Sequence, residues 1–351
     1  MKIKHLFLIP GVILGLLVHS SCIDRIDFSG PPAPINLVVS GIITNSPGQR
    51  TIHLSYQRPI DIFQTRDTIP PPATINLFED GVLIAPFIQL ATDEYRLDES
   101  AVIEAEKAYH IEIQFVNGDT YASRPELVRP LHRVDSLGLQ FEQRDIDSQV
   151  GSTIRRWFVD LYVFNWIPPS EEPYYFRWEM DEDWEQVELA REDPFDIQLT
   201  CYFHTPRTSL PVRIQTTKEL ESGVVSKRII QRQPGDAFKD RHVFNVYQHR
   251  ISPEAYAFYE QLDLLVNRTG NMFDQIPAAV TGNVSNLNAP DERVLGYVEF
   301  SLADTSRLWV RRQMFPFTIR LSCADPDIAS TSCFECILNN GASYNKPYYW
   351  P

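Results

Sequence analysis

Basic residues are in deficit: 32 Lys and Arg stand against 46 Asp and Glu, a formal net charge of −14. That excludes nucleic acid as a partner, because phosphate binding depends on clustered Lys and Arg. Charge-driven adhesion to anionic lipid is excluded with it. Signatures of common chemistry are missing too, since no G-x-S-x-G elbow, Gly-rich phosphate loop or H-E-x-x-H motif occurs. The histidines His53, His110, His132, His204, His242 and His249 show no ligand spacing, and His53 and His110 lie in strand patterns that suit hydrogen-bonded residues. Neither a cofactor nor a catalytic residue is expected.

Long apolar runs are limited to one. Leu6 to Val18 follows Lys2 and Lys4 and ends at Ser20 and Ser21, the tripartite plan of a secretory signal. It is shorter than the roughly 20 residues a membrane span needs. Cys22 follows where cleavage would fall, so residues 1–21 read as a lipoprotein signal peptide and Cys22 as the lipidated N-terminus. His19 departs from the usual box, which prefers an aliphatic residue there. Ordinary cleavage nearby that leaves Cys22 a free or disulfide-bonded thiol is the lesser alternative. Several acyl chains would hold the membrane stably where one holds marginally. The Pro-rich "SGPPAPINL" then makes residues 22–34 an anchor and extended tether.

Cysteine is otherwise scarce: Cys201, Cys323, Cys333 and Cys336 remain. An even number in an envelope compartment favours disulfides, with three pairings open. The reading favours Cys333 with Cys336 and Cys201 with Cys323. A redox CxxC would open a helix in a βαβ unit, and zinc would want a second close pair. "TSCFECILNNG" offers neither context.

What is plentiful is strand pattern. The chain exceeds one ordinary core, so two domains are expected. Residues 35–130 repeat short runs such as "INLVVSGIIT", "RTIHLSYQ" and "YHIEIQFVNGDTYASR", with Asp80-Gly81 and Asn117-Gly118 placed for hairpin turns. About seven strands there suggest an immunoglobulin-like β-sandwich. Residues 131–351 form a second β-rich domain, ending in the CxxC segment and carrying one amphipathic helix near 252–269. In that helix Ser252 caps, Pro253 opens, Gly270 closes, and Ala255, Phe258, Tyr259, Leu262, Leu265 and Val266 share a stripe. The fold class is thus mainly β.

In "EPYYFRWEM", Tyr174, Phe176, Trp178 and Met180 alternate with Tyr175, Arg177 and Glu179, and one face is expected to be core. The acidic run "EMDEDWEQVE" reads as a solvated turn at the strand end. Paired carboxylates can hydrolyse glycosides without a visible motif. Asp181 and Asp183 are weak calcium candidates that lack EF-hand spacing and its turning glycine. Trp157, Trp166, Trp178 and Trp184 could stack on sugars, but such residues mostly build core. "DTI" and "DSL" resemble a short O-glycosylation acceptor, which marks Thr68 and Ser136 for decoration.

"RHVFNVYQHRISPEAYAFYEQLDLLVNRTGNMFDQIPAAVTGNV", "VLGYVEF" and the terminal "CFECILNNGASYNKPYYW", with the early "LVVSGIIT" and "YYFRW" strands, resemble a Bacteroidota lipoprotein family, domain-of-unknown-function family 4249. The resemblance implies an outer-membrane lipoprotein commonly encoded beside a TonB-dependent receptor barrel, with no established chemistry. The expected function is a lipid-anchored accessory or binding protein that partners such a receptor in nutrient capture. A structural or adhesive envelope protein is the alternative, and a polysaccharide-acting hydrolase a lesser one. Asp24 and Asp27, interrupted by Arg25, lean towards display on the cell surface.

Overall fold

Apolar residues at every second position commit the chain from Leu37 onward to strands, whose inner faces must then be covered. A computed structural model describes residues 35–46, 48–57, 70–147, 151–191, 193, 195, 197–208, 211–218, 220, 223–267 and 280–351. Cys22, the tether, Thr68 and Gly270 lie outside the described residues.

The first strands are β1 (Leu37–Thr44), β2 (Arg50–Tyr56), β3 (Ala73–Glu79), β4 (Val82–Gln89), β5 (Glu94–Leu97), β6 (Ala108–Phe115), β7 (Thr120–Ser123) and β8 (Glu126–Leu127). β1, β2 and β5 pair in one layer, and β3, β6 and β7 in the other. β4 pairs with both β5 and β3 and carries the sheet round the corner. Val39, Ile43, Ile52 and Leu54 meet Ile75, Leu77, Ile111 and Ile113 in one fully buried core, a β-sandwich. Both expected hairpins are present. Asp80 and Gly81 take φ of 48° and 81°, and Gly118 takes 97°, values that tight hairpin turns require.

The chain continues through β9 (Ser136–Asp147), β10 (Thr153–Ile167), β11 (Tyr175–Val187), β12 (Thr200–Thr208), β13 (Ile214–Thr216), β14 (Gly223–Arg232), β15 (Arg241–Arg250), α1 (Pro253–Val266), β16 (Val284–Asn286), β17 (Val298–Arg311) and α2 (Thr331–Phe334). β9, β10 and β14 form a three-stranded sheet. Its Val159, Leu161 and Val163 pack on Phe176, Trp178 and Met180 of β11 and on Phe244 and Val246 of β15. Each such side chain contributes roughly 1.5–3 kcal/mol by leaving water.

β17 joins the two sandwiches. Its start pairs parallel with β1, from Gly41 with Val298 to Thr44 with Ser301, and its remainder pairs antiparallel with β15. Val298 and Phe300 belong to the first core and Val310 to the second. β16 likewise returns to pair with β7. Strand pairing therefore crosses the division expected at residue 130, and the described residues from Asn36 onward fall in one compact unit. The approach is close: a Cβ on Gly282 would lie 1.4 Å from the carbonyl oxygen of Gly296.

α1 begins as expected, with Pro253 in the first turn and the Ser252 side chain accepting from the Ala255 amide. Ala255 and Tyr259 are buried, and Phe258 and Leu262 pack beside Tyr297. The stripe is narrower than its spacing suggests, because Val266 is exposed. Among the described residues no helix is long and apolar enough to cross a membrane.

Candidate functional site

Alternation along β11 puts Arg177, Glu179, Asp181 and Asp183 on the side opposite Phe176, Trp178 and Met180. Both sides are buried. The acidic run is therefore no solvated turn but the middle of a strand flanked by β12 and β15. Buried charge is costly unless paired and hydrogen-bonded, so the compensation must come from neighbouring strands. β15 supplies Asn245, Tyr247 and His249, and β17 supplies Glu299, Ser301 and Arg307.

At one end Arg177 makes a two-pronged contact with Glu299, at 2.7 Å from Nε and 3.0 Å from Nη2, and meets Glu179 at 2.8 Å. Gln49 donates to Glu179, and the Tyr259 hydroxyl of α1 donates to Glu299 at 2.8 Å. His249 Nδ1 lies 3.1 Å from the Ser301 hydroxyl, and its Nε2 lies 3.6 Å from Glu179. Burial opposes charge on Arg177, but Glu179 and Glu299 hold it protonated. Burial likewise opposes ionisation of Glu179 and Glu299, and Arg177 overrides it and keeps both carboxyls below the usual range. His249 is pushed down by burial and by Arg177.

Further along, the Asn245 amide donates to Asp181 at 2.6 Å and to Asp183 at 2.7 Å, bridging the two carboxylates. Its own oxygen accepts from Arg307 Nε at 3.1 Å, which fixes the amide's orientation. The Tyr247 hydroxyl donates to Asp181 at 2.8 Å, and the Tyr349 hydroxyl donates to Asp183. His204 of β12 places Nδ1 2.9 Å from the other oxygen of Asp183. One ligand atom each from Asp181, Asp183 and His204 lie within 4.8 Å of one another. Calcium takes about six to eight oxygen ligands. Two carboxylates and an imidazole fall short of that, and the same oxygens already accept from Asn245, Tyr247 and Tyr349. The arrangement is a hydrogen-bonded network that fixes two carboxyl groups side by side.

The chain end closes this face. Trp350 donates to Glu185 at 2.8 Å and packs edge-on to Trp309. The Arg307 guanidinium lies 4.2 Å from the Tyr349 ring centroid. Beside them a cavity of about 350 Å³ is lined by Arg241, Trp309, Val310, Arg311, Tyr349 and Pro351.

All four remaining cysteines are disulfide-bonded, but not in the favoured pairing. Cys201 joins Cys336 and Cys323 joins Cys333. Glu335, at φ −138° and ψ 80°, breaks the helical turn between Cys333 and Cys336. The two thiols are thereby sent to different neighbours. Cys336 pins the terminal segment to β12, where Tyr202 and Ser343 add two backbone hydrogen bonds of 2.7 and 2.9 Å.

A separate buried acid, Glu126, sits where the first sandwich, α1 and β17 meet. The Ser252 hydroxyl that caps α1 also donates to Glu126, which accepts from the Phe300 amide at 3.4 Å as well. Burial, with Glu299 and Glu254, pushes the Glu126 carboxyl up to about 8 against these hydrogen bonds. Of the other residues singled out in the sequence, Ser136 is exposed at the start of β9, His53 is exposed on β2, and His110 stacks on Phe78. His204, Asn245, Glu299 and Tyr349 share no motif, and only the alternation of β11 hinted at a polar face.

No curated protein and no solved structure matches the chain. The model of the family described as a domain of unknown function, DUF4249, matches residues 23–307. That span covers most of the sequence, and the chain belongs to the DUF4249 family.

Proposed function

We propose that the protein is a lipid-anchored outer-membrane accessory protein that acts by docking, partnering a TonB-dependent receptor barrel in nutrient capture or import. The observation that carries this is β4. Val82, Leu83, Ile84 and Ile88 leave much of their surface in solvent, as does Leu90 just beyond, and Val82 is 66% exposed. A row of aliphatic side chains on an acidic chain is the mark of a protein contact surface. The leader and Cys22 support the anchor, and Asp24 and Asp27 behind it support display on the cell surface.

The test is extraction of the tagged native protein from its own outer membrane in several mild detergents, with mass spectrometry of what accompanies it. A stoichiometric barrel receptor is expected, lost from the Ile84→Asp/Ile88→Asp variant, while Cys22→Ala leaves the membrane fraction. Recovery of the chain alone in every detergent would sink the reading.

A further inference from the structure

Of the four tryptophans weighed as a sugar platform, three are committed elsewhere. Trp178 is fully buried, Trp184 stacks on Phe203 at 5.2 Å, and Trp157 stacks on Phe317 at 4.2 Å. Trp166 leaves 58% of its surface in solvent. It sits near the end of β10, where Val159, Leu161 and Val163 face the core. Alternation therefore assigns Asp160, Tyr162, Phe164 and Trp166 to the outward face of the three-stranded sheet.

On that face Tyr162 and Phe164 stack with ring centroids 6.1 Å apart and planes 22° from parallel. Their β9 flank is low, whereas on β14 Arg228 stands opposite Tyr162. Gly138 stands opposite Tyr162, and Ser136 and Ser226 stand opposite Phe164 on either side. A Cβ on Gly138 would meet the Phe164 ring at 3.0 Å, so that ring lies over the glycine. No tall neighbour on β9 walls off the aromatic faces. Three rings two residues apart span about 14 Å at the rise of a strand, the reach of a short oligosaccharide.

The other end of the same face is polar and ordered. Gln231 donates to Asp160 at 2.7 Å, Arg144 donates to Gln231 at 2.7 Å, and Arg144 pairs with Glu142 at 2.7 Å. Arg228 lies 3.7 Å from Asp160 and is half-exposed. Three arginines, Arg144, Arg228 and Arg156 opposite Arg144, meet two carboxylates, so the face carries a single positive charge in excess and no strong field to select a charged ligand. Flat apolar rings in line with fixed donors and acceptors match the two sides of a sugar: the C–H face stacks and the hydroxyls hydrogen-bond. A protein interface arranges these groups differently, with an apolar centre and a polar rim.

We propose that the outward face of the β9–β10–β14 sheet binds a neutral glycan chain, with Tyr162, Phe164 and Trp166 stacking on sugar rings and Gln231 and Arg228 engaging hydroxyls at the polar end. This stands whether or not a receptor accompanies the protein. The full-length chain in detergent micelles is titrated with neutral hexasaccharides of β-glucan, β-xylan, β-mannan and α-glucan linkage, read by tryptophan fluorescence and calorimetry. At least one quenches the emission and releases heat. Trp166→Ala and Tyr162→Ala then each weaken binding about tenfold, as loss of one aromatic contact predicts. Ser226→Trp abolishes binding by filling the flank while every aromatic remains, and the thermal midpoint stays put in all three variants. Silence across the panel overturns the proposal, and so does binding that survives both Trp166→Ala and Ser226→Trp.

Discussion

Replacing Glu126 with Gln removes one buried proton-binding group and little else. In the fold this carboxyl titrates near 8, raised from an ordinary value of 4.5 by burial first and then by Glu299 and Glu254. The folded chain thus holds the proton more tightly than the unfolded one. The stability this group contributes is complete below pH 4.5 and is lost as pH rises through 8. Between pH 5 and pH 9 the linkage amounts to about 4 kcal/mol. Glutamine fills the same space, keeps an acceptor for Ser252 and has no such dependence. Urea unfolding of both proteins at pH 5, 7 and 9, with disulfides intact, should show Glu126→Gln gaining about 4 kcal/mol on the wild type across that window. Parallel pH profiles would refute the placement of a neutral, buried acid at this junction.

Arg177→Met leaves Glu179 and Glu299 without their cation and should cost about 3–5 kcal/mol in urea unfolding. Adding Glu179→Gln and Glu299→Gln should recover most of that loss, and failure to recover it would mean the triad is not the origin of the effect. Cys201→Ser with Cys336→Ser opens a loop with a sequence separation of 135, worth up to about 5 kcal/mol by chain entropy. Cys323→Ser with Cys333→Ser opens a separation of only 10, worth about 3 kcal/mol. Thermal unfolding should rank the two pairs in that order. Gly282→Ala drives a methyl group into the Gly296 carbonyl and should cost about 3 kcal/mol or more, whereas Gly235→Ala, with open space around it, should leave the thermal midpoint nearly unchanged.

Local features were legible because local periodicity encodes them. Asp80-Gly81 and Asn117-Gly118 announce their hairpins, and Ser252-Pro253 announces the start of α1. The acidic run of β11 misled for a physical reason. Carboxylates default to water because burial without partners is costly. Their partners here, Asn245, Tyr247 and Tyr349, come from another strand and from the chain end, as far as 166 positions away for Asp183 and Tyr349. The cysteine pairing escaped for a related reason. Proximity in sequence favoured Cys333 with Cys336, and a single non-helical residue, Glu335, sends them apart. Nothing in the run "VEFSLADTSRLWVR" distinguishes a strand with one core from a strand divided between two.

That divided strand also sets how the molecule bears mechanical load. A pull on the chain ahead of Leu37 enters along β1, which is clasped by β2 on one edge and by the start of β17 on the other. Force along the strand axis meets both ladders in shear, so their hydrogen bonds resist together and do not unzip one at a time. β17 then passes the load to β15 and the second sandwich. A body tugged at its leading strand by anything fixed to the N-terminal side would transmit the tension through the whole sheet before the fold gave way.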